Sequence, residues 1–308
     1  MDFRLTDDQK ALKAGVREML TARFGPDALR AAVASGRLDR ALWRDLGELG
    51  FFALRLPEES GGVGLGPPEA VLVFEEAGRA LLPGPLVATH LAAGEVPGAA
   101  EGKTVVTAPG GPFVEWLDEA DVVRGDTSGA APVRSVDPLT PLHRLPDTAA
   151  PAAWRTGAAG VREGAPAGPV SEPAVALGAL LTAAEQLGSA GRTTEAAVRH
   201  ARARQQFGRP VGAFQAVKHL CAEMLVRTEV ARAAVYAAAV TGDPVEIAGA
   251  KLLADEAAVG CARDCLQVHG GMGFTWEAEV HLHLKRAWVR AERWIPRTLA
   301  EEVEAACL

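Results

Sequence analysis

The sequence predicts an α+β chain that is mostly α: an N-terminal helical domain over residues 1–93, a reduced middle β region over 94–170 and a C-terminal four-helix bundle over 171–308. Three observations predict it. Apolar residues recur at helical spacing up to about Leu82, and the same periodicity returns at Pro173 and continues, with breaks, to the end. Between these stretches proline and glycine recur every few residues around short apolar patches such as Thr104-Val-Val-Thr107 and Asp121-Val-Val-Arg124, which suits short strands joined by turns.

Thr6 followed by Gln9 forms a capping-box pattern, and Leu12, Val16 and Leu20 continue near helical spacing, so the first helix runs to about Phe24. Leu42, Leu46 and Leu49 mark a second amphipathic stretch that ends at Gly50. A third, from Ala70 to Leu82, carries Val71, Phe74 and Leu81 and stops at Pro83. Between them, Leu56-Pro-Glu-Glu-Ser-Gly-Gly-Val-Gly-Leu-Gly-Pro-Pro68 has the look of a glycine-rich phosphate loop. Pro67 stands where the third glycine of G-x-G-x-x-G belongs and no β-α-β pattern surrounds it, so it reads as a connecting loop. In the C-terminal bundle a long helix should run to about Gln206 and a second from Ala213 to Val240. A third starts after Asp243, where Asp-Pro-x-Glu supplies an N-cap, an N1 proline and an N3 acid, and a last helix follows Phe274.

With 48% of its 308 residues apolar, the chain can bury a sizeable core. The net charge of −7 comes with acidic and basic residues interleaved and no basic block, which argues against nucleic acid as a partner. The first nine residues lack the basic start and apolar core of a signal peptide, and no apolar run approaches the roughly 20 residues that span a bilayer; the expectation is a cytoplasmic chain without membrane insertion. Cys221, Cys261, Cys265 and Cys307 form no C-x-x-C pair and read as buried free thiols, and no metal site is assigned.

Two segments carry chemistry. In Arg204-Gln-Gln-Phe-Gly208, Gly208 is expected to close the first bundle helix, with Arg204 one turn earlier, where a helix C-terminus attracts a cation. Phe207, Pro210, Phe214 and Gln215 gather around the same corner. A guanidinium and an amide near one spot suit a dinucleotide pyrophosphate, because the guanidinium can bind phosphate oxygens in a bidentate way. The second segment, Gln267-Val-His-Gly-Gly-Met-Gly-Phe-Thr-Trp-Glu277, ends the third helix. Gly270 and Gly271 can take left-handed conformations and admit a ligand close to the backbone, while Gln267 offers a donor and an acceptor. Alone, the glycine pair would mean a C-cap and His269 a packed histidine.

Together, in this order and at this separation, the two segments resemble the signatures Arg-x-x-Phe-Gly-x-x-x-x-x-Phe-Gln and Gln-x-x-Gly-Gly-x-Gly-Phe of acyl-CoA dehydrogenases. Weaker similarity to the family's first domain runs through Gly50-Phe-Phe-Ala-Leu54, Leu56-Pro-Glu-Glu-Ser-Gly-Gly62 and Glu75-Glu-Ala-Gly-Arg79. The resemblance implies FAD as cofactor, with Arg204, Phe207, Gln215, Gln267, Gly270 and Gly271 contacting the adenosine pyrophosphate of a flavin held mainly by the neighbouring subunit.

The middle region departs from the family. Nothing between Leu86 and Val170 matches the Thr-Glu-Pro-x-x-Gly-Ser-Asp-like segment that flanks the flavin ring, and neither Trp116 nor Trp154 is followed by Ile-Thr or Ile-Ser. The catalytic glutamate is also displaced. Its usual position falls on Trp294; Glu292, two residues earlier, points about 200° around the helix. The minority position falls on or near Gly178, with Glu172 and Glu185 each about two turns away.

The resemblance therefore implies the smaller subunit of a hetero-oligomeric acyl-CoA dehydrogenase, in a heterotetramer with a larger subunit that supplies ring pocket, thioester site and glutamate. An acyl-CoA, bulky or steroid-derived, would be the substrate and an electron-transfer flavoprotein the acceptor. The alternatives are a self-sufficient homo-oligomeric dehydrogenase, oxidase or monooxygenase, and a non-catalytic scaffold.

Overall fold

The computed structural model describes residues 4–146 and 171–306. The first helix, α1 (Asp7–Arg23), opens with the expected capping box: the Gln9 amide N–H donates to Thr6 Oγ1 at 3.1 Å and the Thr6 N–H to Gln9 Oε1 at 3.0 Å. An additional helix, α2 (Pro26–Ser35), follows, with proline in its first turn and Gly36 left-handed at its C-cap. The Asp39 carboxylate caps α3 (Arg40–Glu48). Of the Leu56–Pro68 stretch, residues 56–66 form a loop with one 3₁₀ turn at Glu58–Ser60, as expected of a connector, and the two prolines open the next helix. This is α4 (Pro67–Ala80), which is buried continuously from Ala70 to Gly78 and so lies inside the molecule with no solvated face there. The short α5 (Leu86–Ala92) is likewise buried.

The described portion of the middle region contains only short strands. β1 (Val106–Thr107) pairs in parallel with β3 (Val122–Val123). β2 (Phe113–Glu115), β5 (Leu142–Arg144) and β4 (Ala131–Val133) form an antiparallel sheet with β5 in the centre, Val114 opposite His143 and Pro132 opposite the same residue.

The C-terminal region is built on α6 (Glu172–Ala203), α7 (Gln215–Thr241), α8 (Pro244–His269) and α9 (Val280–Ala291). A two-residue link, Gly242-Asp243, reverses the chain between α7 and α8, and Asp243 caps α8 through the Val245 and Glu246 amides. Gln186 bonds Asp255 and His200 stacks on His269, so α6 and α8 run in the same direction. Gln186 also reaches the Ala287 carbonyl while Ser189 meets His283, which sets α9 antiparallel to α6. The four alternate in direction. The expected single last helix is two, because Pro296 begins a separate α10 (Arg297–Ala305).

The helical regions share one core. α4 crosses α6 at a very close approach: a Cβ on Gly78 would strike the Glu185 backbone, and one on Gly188 the Glu75 backbone. At that crossing Glu75 holds Lys13 at 2.5 Å, Arg232 at 2.6 Å and the Tyr236 hydroxyl at 2.7 Å, tying α1, α4 and α7 together. Cys261 and Cys265 are buried and Cys221 half-buried, all as free thiols, while Cys307 lies outside the described residues. Among the described residues no helix is long and apolar enough to cross a membrane.

Candidate functional site

Alternating helix directions put four helix ends at one pole of the bundle: the C-termini of α6 and α8 and the N-termini of α7 and α9. Both sequence motifs lie there. Helix α6 stops at Ala203, and Arg204 leaves it with extended backbone, its N–H bonded to the His200 carbonyl at 2.8 Å. Gly208 is therefore not the helix cap that its position suggested. Gln205–Gln206 and Arg209–Pro210 pair as a tight hairpin whose two-residue loop is Phe207 (φ 54°) and Gly208 (φ 76°). Left-handed backbone at both positions matches the twist of a two-residue hairpin. Phenylalanine adopts it at a cost of about 1–2 kcal/mol, and the result is a ring 89% exposed at the tip. Such strain concentrates at functional positions.

Behind the tip, Phe214 meets Phe207 edge-on with centroids 5.9 Å apart and carries the Arg209 guanidinium 4.3 Å above its face. Gln215 is the first residue of α7, whose N-terminus has no side-chain cap, so its first amides are open donors. The Gln215 amide lies 3.3 Å from His219 Nε2. On the other motif, Gln267 is exposed in the last turn of α8 and Gly270 (φ 61°, ψ −145°) ends that helix in a conformation suited to glycine. Gly271 is not left-handed, contrary to expectation; it lies in the 3₁₀ turn Gly270–Phe274 and has open space above its Cα, as does Gly270. His269 donates from Nδ1 to the Cys265 carbonyl at 2.8 Å and stacks on His200, ring centroids 4.1 Å apart.

This donor set fits the adenosine diphosphate portion of FAD. Among the described residues no carboxylate pairs with Arg204; the two amides, the open N-terminal amides of α7 and the uncrowded glycine turn lie at the same pole of the bundle, and Phe207, Phe274 and Trp276 offer exposed rings. The sequence had not pointed to His200 or His219, since neither lies in a recognisable motif.

The opposite pole holds the positions expected of a catalytic carboxylate. Trp294 is 2% exposed, left-handed (φ 63°), and donates its N–H to the Gly110 carbonyl at 2.8 Å. Its ring covers Gly178 so closely that a Cβ there would collide with it. The two candidate base positions thus face each other as an indole and a glycine. Around them Arg286, Arg290 and Arg293, one buried edge of α9 and its exit, pair with Asp137, Glu185 and Glu115 respectively. Burial pushes the Glu185 carboxyl up, against the pull of Arg290 at 2.7 Å, which is itself lowered by burial to about 10. The space left there is about 20 Å³, room for one water. The arginine spacing was visible in sequence; the acids that meet it come from three separate elements.

Glu292 is exposed and lines a groove of about 800 Å³ between α8, α9 and α10 that Gly178 does not border. Trp116 is buried and left-handed (φ 57°), while Trp154 lies outside the described residues.

Comparison with known proteins identifies the family. Models of the acyl-CoA dehydrogenase N-terminal and C-terminal domains match residues 6–100 and 169–294. Acyl-CoA dehydrogenase IpdE2 of Mycobacterium tuberculosis is 37% identical, over 96% of this chain and 98% of its own. Acyl-CoA dehydrogenase FadE34 of the same organism is 34% identical over 92% of this chain, yet the match takes up 45% of that protein. Among solved structures, a chain of the ChsE4-ChsE5 complex from Mycobacterium tuberculosis superposes with a TM-score of 0.80 at 23% identity, covering 99% of this chain and 98% of that one. A chain of the Tcur3481-Tcur3483 steroid ACAD variant does so at 0.79 and 22%, covering 97% of each. Matched in both helical regions and over nearly the full length of a close relative, the chain belongs to the acyl-CoA dehydrogenase family.

Proposed function

We propose that this chain is the smaller subunit of a hetero-oligomeric, FAD-dependent acyl-CoA dehydrogenase, holding the pyrophosphate end of a flavin whose ring and substrate lie in a larger partner subunit. One observation carries the reading. Gly178 and Arg204 are 26 positions apart (204 − 178) on α6 and its cap, about 39 Å at 1.5 Å per residue. One flavin does not reach from the motifs at one pole to the base positions at the other, so a cofactor gripped at Arg204 presents its ring to another chain.

In this reading the Arg204 guanidinium offsets diphosphate charge, the Gln215 and Gln267 amides and the α7 N-terminus fix its orientation, and Phe207 projects into the partner. When bound, the flavin supplies the hydride acceptor for α,β-dehydrogenation of an acyl-CoA, whose α-proton goes to a carboxylate of the partner. Among the described residues none takes that proton in this reading: Trp294 and Gly178 fill the base positions, Glu185 is committed to Arg290, and Glu292 lines a separate groove, while the Glu172 side chain lies outside the described residues. Among the described residues the space beside Trp294 is about 20 Å³, too small for an acyl chain, which favours an unlike partner over a self-sufficient homo-oligomer.

Two further facts support an unlike partner. Two structural neighbours are complexes of differently named chains, one of them a steroid ACAD, and FadE34 carries more than half its length beyond the segment that matches. A bulky, steroid-derived acyl-CoA is the substrate class we propose, with an electron-transferring flavoprotein as acceptor.

The test is flavin content. Purified alone the chain should hold little flavin; co-expressed with a full-length relative bearing the glutamate it should co-purify as a yellow complex that acyl-CoA bleaches. Arg204→Ala removes a charged hydrogen bond worth about 1.5–3 kcal/mol, so flavin should bind about 10- to 150-fold more weakly. A stoichiometric, substrate-bleachable flavin on the chain alone would overturn the reading.

A further inference from the structure

The diphosphate of a dinucleotide carries two negative charges, whereas the six residues assigned to hold it bring one fixed positive charge, on Arg204. Each element of the grip has a histidine beside it. His200 lies one turn before Arg204 and its carbonyl accepts the Arg204 N–H; His219 touches the Gln215 amide; His269 stands between Gln267 and Gly270. Two of the three, His200 on α6 and His269 on α8, are stacked at 4.1 Å and join the ends of the motif-bearing helices.

Stacked imidazoles at that distance cannot both be charged, so the pair can take up one proton. The His269 Nδ1–H is used by the Cys265 carbonyl, which leaves Nε2 as its free ring nitrogen. Three arginines and two glutamates surround the pair, a net positive setting. From α6 come Arg199 and Arg204, and the cavity of about 200 Å³ beside His269 adds Arg192, Glu277, Glu279 and His283. Arg192 pairs with Glu279, and the His283 Nδ1 is tied to Ser189 at 2.7 Å. From α8 the nearest titratable group is Cys265, which burial pushes up to about 12 and so keeps neutral.

We infer that the His200–His269 pair is a proton-linked component of the anion site: seating a nucleotide diphosphate between the two motifs is accompanied by uptake of one proton by the pair. This rests on the pyrophosphate reading above and deepens it. In the free chain, burial, the facing ring and Arg204 all disfavour the charged form of His200; a bound diphosphate reverses the electrostatic share of that balance. By linkage, whatever favours the proton favours the nucleotide equally.

ADP-ribose is the probe, since both its phosphates are esterified and keep a fixed charge through the neutral range. The full chain is titrated with it by calorimetry from pH 8.5 to 5.5, in buffers of different ionisation enthalpy. Binding should tighten as pH falls, by at most tenfold per pH unit, with proton uptake between zero and one. The double variant His200→Asn/His269→Asn should bind with nearly pH-independent affinity and no uptake. If the wild type binds with a flat pH profile, or the double variant keeps its slope, the histidine inference is overturned and the pyrophosphate reading stands. If the wild type binds no ADP-ribose at any pH, or Arg204→Ala binds it equally well, both fall. The proton-uptake measurement on the wild type needs no variant to fold.

Discussion

Replacing Trp294 with alanine empties the space that its ring fills against Gly178. The ring is 2% exposed and lies on Gly178, inside a long helix whose backbone cannot move inward to follow it. Truncation of a buried tryptophan costs about 3–5 kcal/mol when the site cannot collapse. At about 2 °C per kcal/mol for a chain of this size, the Tm should fall by roughly 6–10 °C. A second variant isolates the backbone. At an ordinary core position glycine is about 0.5–1 kcal/mol worse than alanine. Position 294 is left-handed at φ 63°, where a non-glycine residue bears about 1–2 kcal/mol of strain. Trp294→Gly should therefore match Trp294→Ala or exceed it by up to about 1 kcal/mol. Urea denaturation followed by far-ultraviolet circular dichroism measures both. The vacated space should also accept benzene, which would raise the Tm of Trp294→Ala and leave the wild type unchanged. A loss below about 1 kcal/mol in Trp294→Ala would mean that the ring does not fill the site; a glycine variant clearly less stable than the alanine variant would mean that the backbone there is not left-handed.

Arg290→Met should destabilise the chain by roughly 3–5 kcal/mol, because Glu185 is left buried without its cation, and adding Glu185→Leu should recover most of the loss in the same denaturation assay. Burial holds His90 down at about 4, from 6.5, and His283 well below 6.5, so the unfolded chain binds protons that the native one refuses. Their contribution is intact above pH 6.5 and is lost as pH falls towards 4, about 3 kcal/mol for His90 alone; His90→Leu should flatten the acid limb of the stability profile. Phe207→Gly relieves left-handed strain and should stabilise the free chain by up to about 1 kcal/mol, while the flavin-to-protein absorbance ratio of the complex drops.

What the sequence made legible was local. Thr6 with Gln9, and Asp243 before its proline, act on amides two or three residues away, so their caps were readable from spacing alone. Helix α2 was not read because its face is mostly alanine and only Leu29 is buried. The hairpin at Phe207-Gly208 was misread as a helix cap, since nothing in propensity places phenylalanine in left-handed backbone. The motifs gave the six candidate residues by position, yet their convergence at one pole depends on α6 and α8 running in the same direction, a property of packing. Likewise Trp294 and Gly178 could each be noted as lacking a carboxylate, but not that they touch.

The polarity of α6 also sets a head count. A pair of like chains that exchange cofactor ends offers two grips and two ring beds, and holds two flavins. If this chain keeps its grip while its own bed is filled by Trp294 and the Arg286–Arg293 edge, an unlike pair has two grips facing a single bed. The complex would then carry one flavin per pair of subunits, half the complement of a symmetric dimer, and each turnover would load one flavin where a like pair could load two.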